Sequence, residues 1–343
     1  MIADALKLSV YFGDGVAVGP RLSAGLLVDC LARHGITCTL LRGIEGFGLN
    51  RRLHAERFPD VSTDLPLLVM AVDRSERIRA VLDDVDAAVP RGLVTLEHAR
   101  LATGADVARA DIPPGPGRAA KLTVFCGGRR PAHRTVVDIL RRTGASGAIV
   151  LAGVDGVLGG RRRERLFRNS GAPMVVISVG SADVLRQALA PLAAALPDVF
   201  VTLEPIALVK HDGELLEAPP SPADVAGRDV WQTIRVYTRR SAQAGGAALF
   251  DELTRRLRER GAAGATTVLG EWGFSSDEPP YGDRFGRIAS HRPTYSVYID
   301  RVERVAENWA MIDELTAEHG IVTSLLVPGY RERAGETVRG RLI

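Results

Sequence analysis

The sequence predicts an α+β protein built from three tandem copies of one βαββαβ module, closed into a single particle of pseudo-threefold symmetry. Three observations lead there. A β-rich run recurs at residues 6–14 (LKLSVYFGD), 120–128 (AKLTVFCGG) and 232–240 (QTIRVYTRR). Two glycines repeat in step, as Gly43/Gly153/Gly270 and Gly46/Gly156/Gly273. Two proline-rich stretches, 103–118 and 211–229, separate the copies. A repeat sets the architecture before any single element does, so it is read first.

Each copy opens on one of those runs, whose apolar/polar alternation is the mark of a strand. A helical stretch follows at 20–34, 131–143 and 244–260. Pro20 and Pro131 stand near the start of the first two, and Gly35, Gly144 and Gly261 follow the ends of all three. That is ordinary helix punctuation. Second strands begin at 37, 146 and 263 and carry the repeated glycines, with a polar, arginine-rich loop after each. Third strands lie at 65–73, 172–180 and 292–300, with helices at 74–89, 181–196 and 301–319. Fourth strands begin at 92, 199 and 320. The proline-rich stretches read as extended, unpacked connectors, which places the modules at 1–110, 111–223 and 224–343.

A four-stranded sheet with both helices on one face leaves its other face wet, and a half-wet strand should alternate. The third strands do not. Leu67, Leu68, Val69, Met70, Ala71 and Val72 are unbroken, as are Met174, Val175, Val176 and Ile177. Two arrangements satisfy this. The modules cover one another in a closed threefold assembly, or they are beads whose apolar runs are covered by helices or other chains. The strand pattern favours closure, and with it a monomeric particle.

Composition removes several functions. The chain has 44 basic and 41 acidic residues, so it is not a globally basic nucleic-acid binder. RNA binding by this topology would stack bases on aromatics of the central strands; the third strands of copies one and two carry aliphatics there, and Tyr295 and Tyr298 appear only in copy three. Cys30, Cys38 and Cys126 form no C-x-x-C pair, which points to a reducing cytoplasm. Asp4 and Lys7 interrupt the apolar stretch that a signal peptide needs, and no apolar run reaches a membrane span. The seven histidines show no H-x-x-x-H or H-x-x-H spacing, and Walker and nucleophile-elbow motifs are missing. Gly13-x-Gly15-x-x-x-Gly19 has the wrong third spacing for a dinucleotide fingerprint. An enzyme, a metal and a cofactor are therefore not expected.

The runs Lys7-Leu8-Ser9-Val10-Tyr11-Phe12-Gly13, Leu41-Arg42-Gly43-Ile44-Glu45-Gly46-Phe47-Gly48, Asp64-Leu65-Pro66 and Val94-Thr95-Leu96-Glu97 resemble an uncharacterised PII-like family, domain of unknown function 190. Ala152-Gly153-Val154-Asp155-Gly156 and Val201-Thr202-Leu203-Glu204 keep the outline in copy two, and Glu271-Trp272-Gly273-Phe274 is a more diverged third. The resemblance implies ferredoxin-like modules arranged as a PII-like trimer, here within one chain. It also implies a small anionic effector, such as an adenine nucleotide, in the clefts between modules. The loop after the second strand would then signal to a protein target such as a transporter. The glycine-rich, lysine-bearing loop that PII proteins place before the fourth strand is not matched by Val89-Pro90-Arg91-Gly92.

The candidate ligand-binding residues gather around that loop. Gly43, Gly46, Gly48, Gly153, Gly156 and Gly273 would let a ligand approach the backbone, or would serve a strand-end bulge or tight turn. Phe47 and Phe274 would stack on a base or fill a core. Arg42, Arg51, Arg52, Arg161, Arg162 and Arg163 suit phosphate or carboxylate, or a solvated loop. Glu45 and Asp155 sit beside the glycines, and Glu97 and Glu204 match in the fourth strands. Each acid would take a ligand hydroxyl or amine, or an arginine across an interface. An effector-free scaffold is the alternative function.

Overall fold

Each copy folds around one antiparallel sheet whose strand order is second, third, first, fourth. The computed structural model describes residues 1–48, 52–55, 64–113, 119–127, 132–163, 173–275 and 292–332. In the first module β1 (Ile2–Gly13) is central, α1 is Ser23–Arg33 and β2 is Thr37–Phe47. Then come β3 (Pro66–Arg74), α2 (Ser75–Ala80), α3 (Leu82–Ala88) and β4 (Leu93–Thr103). The pairs are β2 with β3, β3 with β1, and β1 with β4. The second module repeats this with β5 (Ala119–Cys126), α4 (Ala132–Arg142), β6 (Gly147–Ala152), β7 (Asp155–Leu158), β8 (Met174–Ser181), α5 (Ala182–Ala195) and β9 (Phe200–His211). The third has β10 (Trp231–Arg239), α6 (Leu249–Glu259), β11 (Gly264–Leu269), β12 (Trp272–Ser275), β13 (Pro293–Arg301), α7 (Val302–Leu315), β14 (Ile321–Val327) and β15 (Gly329–Glu332).

The unbroken apolar runs are explained by period-two alternation with both faces dry. In β3, Leu67, Val69 and Ala71 face a core shared with Leu27, Val28 and Leu31 of α1. Leu68, Met70 and Val72 face the other way, into a core with Val175 and Ile177 of β8 and Val297 and Ile299 of β13. That second core therefore takes side chains from all three modules. The first helices end on left-handed glycines, Gly35 (φ 63°), Gly144 (φ 81°) and Gly261 (φ 78°), a conformation that costs glycine nothing. The stretch 74–89, read as one helix, breaks at Val81 into α2 and α3.

The connectors differ from the unpacked linkers that their prolines suggest. Gly104–Arg109 forms a 3-10 turn that packs on α5, and Val107, Ala110 and Ile112 are buried in the second module's core. Pro222–Val225 forms another 3-10 turn, closed by a Ser221–Asp224 capping box, with Val225 packed against Val230 and Val302. The reason lies in the spaced apolar residues that flank the prolines, which bury area worth about 25 cal/mol per Å².

Candidate functional site

The modules are joined by their second strands, and the joints repeat around the molecule. β2 leaves its own sheet and pairs with β11 of the third module, Phe47 opposite Ala265 and Gly46 opposite Thr266. β12 pairs with β6 of the second module, Gly273 opposite Ile149. β7 pairs with β2 of the first, Gly156 opposite Thr39. The ring of pairings is complete. Fourth strands are exchanged as well: β4 pairs with β9, β9 with β14, and β15 with β4.

These crossings account for the repeated glycines. A Cβ on Gly46 would lie 2.5 Å from the carbonyl oxygen of Ala265, one on Gly273 2.4 Å from that of Ala148, and one on Gly156 2.3 Å from that of Cys38. Gly43 and Gly270 lie under Pro66 and Pro293, where a Cβ would come within 2.7 Å of each ring. Gly153 is pressed against the carbonyl oxygen of Pro173, which accepts its N–H. The residue after each second glycine is a plug in the neighbouring module. Phe47 enters the third module's core beside Leu253 and Leu257. Phe274 enters the second module's beside Val136 and Leu140, and Val157 the first module's beside Leu27 and Leu31.

A cleft opens beside two of these joints. The first, of about 440 Å³, lies between the first and third modules. Its walls are the end of β1 (Tyr11, Phe12), the turn Arg91-Gly92-Leu93 before β4, Phe47 and Gly48, and Trp231 and Ala263–Thr266 opposite. His54 and Asp64 stand at its edge. Asp64 Oδ1 accepts the N–H of Gly15 at 2.8 Å, and His54 Nε2 lies 3.7 Å from Oδ2. Arg42 pairs with Asp14 nearby at 2.8 Å. The second cleft, of about 400 Å³, lies between the third and second modules, with Phe274, Arg239 and His319 among its lining residues.

At the molecular centre lies a cluster of buried charge. Lys7 Nζ donates to Glu97 Oε2 at 2.7 Å and to Glu204 Oε2 at 2.6 Å. Lys121 Nζ reaches the same two oxygens at 3.1 and 2.5 Å. Arg235 Nη2 donates to Glu97 Oε1 at 2.5 Å, and its Nε donates to Tyr295 Oη at 3.0 Å. All five charged side chains are at most 2% exposed. Lys7 and Lys121 hold the same strand position in modules one and two, facing Glu97 and Glu204 in register; module three has Thr233 facing Leu325 there. Arg235 supplies its cation from two residues further on. The cluster thus joins three cations to two carboxylates. Arg235 Nη1 and Tyr237 Oη have no hydrogen-bond partner among the described residues.

A surplus cation out of water must be costly. Burial, with Arg235 alongside, pushes Lys121 down to about 7. Burial also works against charged Lys7, but Glu204 and Glu97 outweigh it and hold Lys7 above its ordinary value. Burial opposes ionised Glu97, but Arg235, Lys121 and Lys7 hold its carboxyl well below the usual range. Tyr237 and Tyr295 are pushed up, chiefly by burial, and stay neutral.

The structure brings only some of the sequence-selected residues together. Phe47 and Gly48 line the first cleft and Phe274 the second, while the plug role gives both rings a core position. Glu97 and Glu204 lie at the centre and not at a cleft. Glu45 is buried in the β2–β11 joint. Arg162 donates through Nε to Asp155 at 3.2 Å and also pairs with Asp29 of α1, so it bridges two modules. Arg161 is exposed, and the Arg163 N–H donates to the Gly156 carbonyl. Arg52 is exposed, and Arg51 lies outside the described residues. Sequence reading passed over His54, Asp64 and Arg91 as a group, because separate strand ends bring them together. It also passed over Lys7 and Lys121, although a lysine at one strand position in two copies, opposite a matched glutamate, was a usable signal.

Comparison with known families agrees with the repeat. The model of one family, described as uncharacterised, matches three times, at residues 5–101, 121–208 and 231–328. The three matches fall one to a module, and together they span well over half of the chain. The chain therefore belongs to the uncharacterised DUF190 family, which it carries as three tandem modules.

Proposed function

We propose that the chain is a PII-like regulatory protein: three ferredoxin-like modules acting as an intramolecular trimer that senses a small anionic effector and signals to a protein target. The observation that carries this reading is the first cleft. It joins the base of the loop after β2, the turn before β4 and the face of the neighbouring module in one cavity of about 440 Å³. A ligand there touches two modules and the root of a loop together, which couples occupancy to loop position. Phe12 and Trp231 offer apolar and aromatic surface, and Arg91 offers a cation for an anionic group. An adenine nucleotide is the first class to test. The three free, buried cysteines suit the reducing cytoplasm in which the proposal places the protein. Among the described residues no helix is long and apolar enough to cross a membrane.

The second reading is an effector-free scaffold. It is favoured by the structural work that the repeated glycines and Arg162 already perform. A thermal-shift and calorimetric screen against ATP, ADP, AMP, cyclic dinucleotides and 2-oxoglutarate separates the two. A saturable rise in melting temperature that Arg91→Ala weakens at least tenfold supports the sensor. No shift with any compound refutes it and leaves the scaffold.

A further inference from the structure

We propose that the first module carries a transition-metal site of the zinc class on its outer helix layer, with ligands Cys30, His34 and Asp84. Cys30 and His34 are separated by four residues at the end of α1, so their side chains share one face. Asp84 comes from α3, which packs beside α1. The thiol sulfur, an imidazole nitrogen and a carboxylate oxygen all lie within 4.8 Å of one another. His34 Nε2 and Asp84 Oδ2 are already 3.2 Å apart. A tetrahedral centre with nitrogen and oxygen bonds of about 2.0–2.1 Å has a corresponding edge of about 3.3 Å. Cys30 is buried beneath the pair, while His34 and Asp84 are exposed and free to close on an ion by rotamer change.

The donor set chooses the metal. Thiolate and imidazole favour zinc, cobalt or copper over magnesium and calcium, which prefer all-oxygen shells. The surroundings point the same way. Asp84 is the one carboxylate of the set, and Arg33 beside the thiol and Arg77 on the His34 carbonyl add positive charge nearby, an arrangement unlike the all-oxygen shell of a hard cation. Binding must come from the coordinate bonds themselves. Three protein ligands leave a fourth position to water.

The site is not a module feature. Counted from Gly35, Gly144 and Gly261, the second copy has Ile139 and Thr143 where the first has Cys30 and His34, and the third has Arg256 and Arg260. Asp84 corresponds to Pro191 and Met311, counted from the ends of the third strands. All three donor types therefore occur in one copy alone. The search for His-x-x-x-His pairs misses this pattern, because the first member of the pair is cysteine.

Cobalt(II) titration of the chelator-treated full chain tests the proposal. One equivalent should produce visible d–d bands of tetrahedral intensity and a near-ultraviolet thiolate-to-cobalt band, both displaced by zinc. Cys30→Ser should abolish the charge-transfer band, and His34→Ala should weaken binding at least tenfold. Cys126→Ser should change neither. His34 is exposed, so its variant keeps the test meaningful if the buried Cys30 variant folds poorly. Absence of the bands in the wild-type chain overturns the proposal. So does a charge-transfer band that survives in folded Cys30→Ser, or cobalt binding unchanged by His34→Ala.

Discussion

Stability should rise with pH just above neutrality, and Lys121 should be the cause. Below pH 7 Lys121 is protonated in the folded and unfolded chains alike. Above the folded value of about 7, the folded chain releases a proton that the unfolded chain keeps until about pH 10.4. The unfolded state then binds more protons, so the free energy of unfolding grows with pH. The useful window is narrow. Cys38 and Cys126 are pushed up to about 12 by burial, so they begin to act in the opposite sense once unfolded thiols ionise near pH 8.5. His133, lowered by burial, acts below about pH 6.5. Between pH 7 and 8.5 the Lys121 contribution is about 2 kcal/mol, at about 1.36 kcal/mol per unit. At about 2.1 cal/mol/K per residue, a chain of 343 residues unfolds with about 0.7 kcal/mol/K, so the melting temperature should rise by about 3 °C. Lys121→Met should remove this slope. It leaves Lys7 and Arg235 against Glu97 and Glu204, and at pH 7 it should melt at or above the wild type. Glu97→Gln leaves three cations against one carboxylate and should cost about 3–5 kcal/mol. Near-ultraviolet circular dichroism melts across the window provide the assay. A wild-type melting temperature that is flat or falling between pH 7 and 8.5, or an unchanged slope in Lys121→Met, refutes the charge count.

Two further outcomes concern the joints. Gly46→Ala places a Cβ 2.5 Å from the Ala265 carbonyl oxygen and should destabilise by about 1–3 kcal/mol. Gly25→Ala in α1, which has open space at that position, should instead stabilise by about 0.5–1 kcal/mol, and urea melts of the two variants compare them directly. Phe47→Ala should cost about 3–5 kcal/mol. Hydrogen exchange should show faster opening in α6 of the third module, whose core the ring fills; faster exchange confined to the first module would contradict the plug role.

The repeat, its element order and the burial of both sheet faces could be read from the sequence because they rest on local periodicity. Leu67 and Leu68 face opposite cores, and no third choice exists for an unbroken run in a strand. The joints could not be read. Nothing near Phe47 in the chain says that its ring belongs to a core more than two hundred residues away. The glycines signalled a tight place without saying whether a ligand or another backbone occupied it. Charge was misjudged for the same reason. Arg162 resembles a free loop cation until the chain turns back along β7 and sets it against Asp29. Conversely, Lys7 reads as the polar half of an alternating strand and lies at 1% exposure.

The exchanged plugs also bear on how the copies can change. In a ring of identical chains, every substitution at a joint appears three times, and a charge in the centre is multiplied with it. On one chain each joint is a separate pair of surfaces, joined by a connector that keeps the neighbour at an effective concentration in the millimolar range. One copy can then lose its lysine and glutamate, as the third has with Thr233 and Leu325, while Arg235 makes good part of the loss from a different position. Dilution cannot take such a ring apart, and its three corners are free to specialise.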